Sequence, residues 1–196
     1  ADRLVALLYD ENGESDAAGP LASLPWFRQW LDVLLNFAQP AQWVIGLGAF
    51  GYDWPTGREA STVSFADAMA RATRSGEGRI KTEAPYFSPH FSYAEGGINH
   101  SLWFLDAVTL GNQKRLAEKH KVGGFALNRL GLEDPGVWKV LGTAATSTFD
   151  LAKLDLPLFP AHAGTGDFLA VVLEQGSGRR AIREDESGIW SAEYLS

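Results

Sequence analysis

A chain of 196 residues with 45% hydrophobic content can bury one sizeable core, or one core and a small appendage. Its formal net charge of −7, with Lys and Arg scattered, argues against nucleic acid or anionic lipid as the main partner. Cysteine is absent, which excludes disulfides and thiolate chemistry, and no apolar stretch approaches the roughly 20 residues that span a bilayer.

Leu4 to Tyr9 is a continuous apolar run, suited to a parallel strand buried on both faces. It starts almost at the first residue with no cap before it, so the chain is expected to be a piece of a longer protein. Glu11 to Gly19 reads as a loop. Ser23 is a candidate N-cap with Pro25 in the first turn. The pairs Trp26/Phe27, Trp30/Leu31 and Leu34/Leu35 then give an amphipathic helix ending before Pro40. Trp43 to Leu47 is a second buried strand, opening into Gly48-Ala-Phe-Gly-Tyr-Asp-Trp-Pro55.

Residues 56–109 form a long excursion. Ser64 and Asp67 make a capping-box-like pair for a helix through Met69 to about Arg74. Strand-like pieces follow around Arg79–Thr82, Tyr86–Tyr93 and Ser101–Phe104. Leu110 to Lys121 predicts a helix closed by Gly123-Gly124, Phe125 to Leu130 a third buried strand, and Asp134-Pro135 the start of a helix with Trp138 on its apolar side. Leu156 to Pro160 reads as a linker. Residues 166–194 read as antiparallel strands turning at Gly176–Gly178 and Asp185–Gly188. The alternation of strands and helices predicts an α/β fold with a parallel sheet.

Five of these segments, in this order, resemble the last third of the family 18 (chitinase-like) glycoside hydrolases. They are Leu7-Leu-Tyr-Asp10, Gly19-Pro-Leu-Ala-Ser23 with Trp26-Phe27, Gly46 to Trp54, His100 to Thr109, and Gly123 to Pro135 with Trp138. The likeness covers roughly residues 2–142. It extends to the branch holding spore-cortex peptidoglycan hydrolases, and more closely to family 18 domains fused to polysaccharide deacetylase and membrane glycosyltransferase domains.

The resemblance implies the C-terminal part of a (β/α)8 TIM barrel, about three βα units of it. On that reading residues 1–55 hold barrel strands six and seven, 56–109 an inserted α+β subdomain, 110–142 the last strand with its flanking helices, and 143–196 a linker and a β-hairpin tail. It also implies action on β-1,4-linked N-acetylglucosamine polymers, of chitin or peptidoglycan type, by substrate-assisted retaining hydrolysis. In that chemistry the substrate's own acetamido oxygen attacks the anomeric carbon, and the enzyme supplies one general acid. The family's Asp-x-x-Asp-x-Asp-x-Glu motif, which ends in that acid, is not among these 196 residues, so the chain alone is expected to be inactive.

By the same resemblance Tyr9 and Asp10 are catalytic residues, Tyr9 donating to the acetamido group and Asp10 bonding sugar or acetamido polar atoms, and Asn128 lies at a sugar-binding position. Tyr52, Asp53 and Trp54 are candidates for a sugar-binding rim, because aromatic faces stack on pyranose rings and a carboxylate bonds hydroxyls. Each has a plain alternative. A Tyr-Asp pair ending a strand is commonly packing plus a loop residue, and Trp54-Pro55 could pack the insert onto the barrel. Asn128 stands where the family usually carries a Trp floor, Phe50 where it has Tyr, and Gly48 where it has Pro. These departures keep open a non-catalytic sugar-binding barrel that presents glycan to linked deacetylase or glycosyltransferase domains.

A third reading, a small doubly wound α/β protein, would gain if Tyr9 and Asn128 lay far apart. The four histidines show no metal-ligand spacing, His100 and Trp103 read as structural, and Gly46, Gly48 and Gly51 are wrongly spaced for a dinucleotide loop. No metal or cofactor is expected. Three open parallel strands predict that the insert, the tail or a second copy covers the exposed interior. By family, a bacterial envelope or exported location is implied.

Overall fold

The computed structural model describes residues 1–75, 79–82, 84–143 and 179–195. Its elements run β1 (Leu4–Leu7), α1 (Leu24–Leu34), β2 (Trp43–Gly48), β3 (Gly51–Pro55), β4 (Ser61–Val63), α2 (Phe65–Ser75) and β5 (His90–Glu95). There follow β6 (Ile98–Phe104), α3 (Ala107–Lys119), β7 (Gly124–Asn128), α4 (Val137–Leu141), β8 (Arg179–Glu184) and β9 (Trp190–Leu195). The linker expected at Leu156–Pro160 and the turn at Gly176–Gly178 lie outside the described residues.

The three apolar runs form one parallel sheet in the order β1-β2-β7. Alternation decides what each strand covers. Ala6, Leu8, Trp43, Ile45 and Leu47 face α1 and α3, where they bury against Phe27, Leu31, Val108 and Leu110. Each fully buried Ile, Leu or Phe contributes about 1.5–3 kcal/mol. α1 starts as the sequence predicts, with Ser23 Oγ accepting from the Trp26 amide at 3.4 Å, and it buries Leu24, Phe27 and Leu31.

Gly51–Pro55 leaves the parallel sheet and joins an antiparallel one, ordered β4-β3-β6-β5. α2 covers one of its faces, capped by Ser64 and Asp67 as expected. Two boundaries differ from the sequence reading. β5 begins only at His90, and Lys81 makes a single bridge to it, because Pro85 and Pro89 have no N–H to donate to a ladder. β6 begins at Ile98 rather than Ser101, because Gly96 and Gly97 (φ 57° and 79°) make the two-residue turn that a hairpin favours.

α3 also begins earlier than expected, at Ala107, since Asp106 caps it by accepting from the Thr109 amide at 2.7 Å. Asp134 was expected to cap the last helix. That helix instead starts at Val137, and the Asp134 carboxylate accepts from the Gly136 and Ala107 amides, both at 2.8 Å. Trp138 does not face the core; it is 52% exposed, with its indole donating to Glu133.

The hairpin of β8 and β9 is sewn onto α3. Asn112 imitates a strand neighbour, donating to the Trp190 carbonyl at 2.7 Å and accepting from its amide at 2.9 Å. Arg115 lies 3.7 Å over the Trp190 ring. Arg180 is clamped by both oxygens of Asp134 and neighbours Asp106, which accepts from Tyr194 Oη at 2.6 Å. Burial alone would lower the Arg180 pKa; Asp134 holds it above its ordinary value.

Among the described residues, neither the insert nor the β8–β9 hairpin covers the open face of the parallel sheet. Val5 and Leu7 are 59% and 57% exposed, and β1 and β7 each pair only with β2 among the described residues. The hairpin lands on the helix side because its anchors, Trp190 and Arg180, find their partners there.

Two outcomes follow from this packing. Arg180→Ala leaves two buried carboxylates without their cation and should cost about 3–5 kcal/mol in urea unfolding. An unchanged midpoint would contradict the role given to the pair. Because the sheet keeps one apolar face and two edges open among the described residues, the purified chain is expected to self-associate with rising concentration. A single monomeric mass throughout a light-scattering series would contradict this.

Candidate functional site

Three strand ends meet at the C-terminal edge of the parallel sheet, where α/β proteins build their ligand sites. Tyr9 and Asp10 continue β1, Gly48 ends β2, and Asn128 ends β7. Gly48 permits the arrangement, since a Cβ there would sit 2.7 Å from the Tyr9 Cβ and 2.6 Å from Leu105. The Tyr9 ring is buried edge-on to Phe50. Asn128 Nδ2 donates to Tyr9 Oη at 2.7 Å, which leaves the phenolic proton free to be donated to another acceptor. Asp10 is exposed, with no hydrogen bond or ion pair to its carboxylate among the described residues. Tyr9 and Asn128 are thus in contact, which removes the ground for the doubly wound reading.

The segment after Asp10 is held by Glu11. Its carboxylate accepts from the Ser23 amide at 2.5 Å and the Ser23 hydroxyl at 2.9 Å, and its own amide donates to Leu21. Burial pushes this carboxyl above its usual range, and the two Ser23 bonds pull it only partly back. Further along, the Glu14 carbonyl accepts from Ala60 and its carboxylate from Thr62 Oγ1 at 3.0 Å. The loop therefore straps the end of β1 to β4.

From Phe50 an edge-to-face series continues to Tyr52 and Trp54, with centroids 5.3 and 5.5 Å apart. Trp54 is buried with Leu21, Ala22, Trp103 and Leu105, so it packs the antiparallel sheet onto the strand ends. Tyr52 is buried too. Burial raises its pKa, with the Glu14 and Asp10 charges adding to the effect and Arg129 opposing it.

Asp53 points the other way. One oxygen accepts from Arg71 and from Tyr93 Oη at 2.7 Å, and the other meets His100 Nδ1 at 3.0 Å. Asp53 is thus buried on the face of the strand opposite Tyr52, with both oxygens engaged inside the protein. The carboxylate locks β3 to α2, β5 and β6. The sequence reading missed Glu11, Glu14 and Arg129. Their adjacency to Asp10 and Asn128 was visible, but loop side chains carry no periodic signal. A separate groove of about 420 Å³ between α1, Phe87 and Ile189 shares no residue with this cluster.

No protein-family model matches the chain. The cortical fragment-lytic enzyme of Bacillus anthracis is 26% identical over 149 residues, 71% of this chain and 34% of that protein. A chitinase from Chromobacterium violaceum ATCC 12472 superposes with a TM-score of 0.66 at 29% identity, covering 72% of this chain and 44% of the other. The Bacillus cereus spore cortex-lytic enzyme SleL gives 0.65 at 24% identity, over 71% and 34%. Over about 70% of its length, this chain has an α/β fold that matches part of the family 18 chitinase and spore cortex-lytic enzyme structures. It spans about a third of the length of the curated relatives it matches. Among the described residues no helix is long and apolar enough to cross a membrane.

Burial raises the Tyr93 pKa from 10.0 to about 12, with its bond to Asp53 adding to the effect. The unfolded chain therefore loses this proton first, and the stability it contributes is present below pH 10 and lost as pH rises towards 12. Tyr93→Phe should flatten the fall in urea midpoint across that window; an identical fall in both proteins would exclude Tyr93 as its source.

Proposed function

We propose that this chain supplies the acetamido-holding part of a family 18 glycoside hydrolase site, acting on β-1,4-linked N-acetylglucosamine polymers of chitin or peptidoglycan type. On this reading β1, β2 and β7 are three strands of a (β/α)8 barrel, and β3 to β6 with α2 are its inserted subdomain. The observation that carries it is the Tyr9–Asn128 contact at the strand ends, which leaves the phenolic proton free to be donated, with the exposed Asp10 next in the chain.

The chemistry follows from those groups. Tyr9 donates to the carbonyl oxygen of the acetamido group and orients it beneath the anomeric carbon. Asp10 accepts from the acetamido N–H, which increases electron density on the carbonyl oxygen that attacks. The general acid belongs to a strand outside this chain, so the 196 residues hold and align sugar without cleaving it. The similarity to a chitinase and to a cortical fragment-lytic enzyme supports the polymer class.

Asn128 favours a second reading. An amide in place of an indole floor gives up a wide stacking surface, which suits a barrel that binds glycan and presents it to a linked deacetylase or glycosyltransferase domain.

The test is calorimetric titration of the chain with an N-acetylglucosamine tetramer and with its deacetylated glucosamine counterpart. Tyr9→Phe should weaken binding of the acetylated tetramer about tenfold, the effect of one lost hydrogen bond to a positioned acceptor. It should leave glucosamine tetramer binding unchanged, since the acceptor is gone. Equal binding of the acetylated tetramer by both proteins would remove Tyr9 from the site.

A further inference from the structure

Arg129 follows directly on Asn128 at the end of β7, and its guanidinium carbon lies 5.7 Å from the centroid of the Phe50 ring. That ring also packs against Tyr9, so the cation stands over the mouth of the Tyr9–Asn128 site. Its charge acts on the Tyr52 hydroxyl, opposing Glu14 and Asp10 there. Arg129 is exposed and makes no ion pair among the described residues.

The carboxylates nearest to it in sequence are engaged elsewhere. Glu133 accepts from the Gly131 amide and the Trp138 indole, and Asp134 is buried against Arg180. Across the mouth, Glu14 accepts from Thr62, and Asp10 stands at the end of β1, on the other side of β2 from Arg129. The mouth is therefore polarised, acidic on the β1 side and cationic on the β7 side. A guanidinium held over an aromatic face keeps its donor edge free, and its planar fork matches a carboxylate with two parallel hydrogen bonds.

We propose that Arg129 is a specificity-determining residue that selects glycan strands bearing a carboxylate on a sugar substituent, such as the lactyl ether of N-acetylmuramic acid, over neutral chitin-type strands. The carboxylate sits against Arg129 while the acetamido group of the adjoining sugar sits at Tyr9. Asp10 disfavours the reverse placement by like-charge repulsion. This rests on the glycan-site reading above and narrows its substrate.

The test titrates the 196-residue chain with two probes of equal length, a neutral N-acetylglucosamine tetramer and a peptide-free tetrasaccharide alternating N-acetylglucosamine and N-acetylmuramic acid. The wild-type chain is expected to bind the carboxylated probe about tenfold more tightly, by one charge-assisted contact, with the preference shrinking as salt is raised. Arg129→Gln should abolish the roughly tenfold preference between the two probes, and Arg129→Lys should keep part of it. Equal wild-type affinity for both probes, or a preference that persists in Arg129→Gln, overturns the proposal while leaving the glycan site standing. Binding of neither probe overturns the glycan-site reading and this proposal with it. The wild-type comparison needs no variant, and matching thermal melts confirm that Arg129→Gln is folded.

Discussion

Asp134 and Arg180, with side-chain exposures of 0% and 1%, form the contact on which the rest of the molecule depends. A charge in that position survives only if every lone pair is met. Asp134 meets that demand with the Ala107 amide at the start of α3, the Gly136 amide before α4, and the Arg180 fork from β8. Asp106 beside it caps α3 and accepts from Tyr194 on β9. One node thereby fixes the last strand–helix unit, the helix behind the sheet, and the hairpin. The hairpin's path over α3, and so the exposure of the sheet's other face, follow from it.

A second buried carboxylate, Asp53, performs the same service for the antiparallel sheet. With Arg71, Tyr93 and His100 it fixes one face of β3. The other face of that strand then presents Tyr52 and Trp54 as an aromatic wall running back to Phe50 and Tyr9. The polar cluster and the aromatic series are the two sides of one strand, so the position of the Tyr9 hydroxyl depends on residues that never reach it. Glu11 and Glu14 complete the frame by tying the segment after Asp10 to α1 and to β4.

Much of this was legible in the sequence where a period or a cap carried it. The apolar runs at Leu4, Trp43 and Phe125 are parallel strands, as continuous apolar character predicts. The expected burial on both faces is not met: β1 leaves Val5 and Leu7 exposed and β7 has no fully buried residue. The Trp26/Phe27, Trp30/Leu31 spacing and the Ser64–Asp67 pair specified α1 and α2. Where reading failed, a single residue type supported two uses. An Asp before Pro reads as a cap, yet Asp134 is an ion-pair partner to a residue 46 positions later. A Tyr-Asp-Trp exit reads as a sugar rim, yet strand alternation sends Asp53 into one core and Trp54 into another.

The sequence by itself determined the element types, the α/β class and the likeness to family 18 barrels, because periodicity, capping and turn chemistry act over a few residues. The tertiary structure alone decided which polar side chains are free. Burial and partner geometry engage Asp53 and Asp134 inside the protein and Glu133 at its surface, and leave Asp10, the Tyr9 proton and Arg129 at the mouth. That division depends on distances between residues far apart in the chain, to which no local pattern responds.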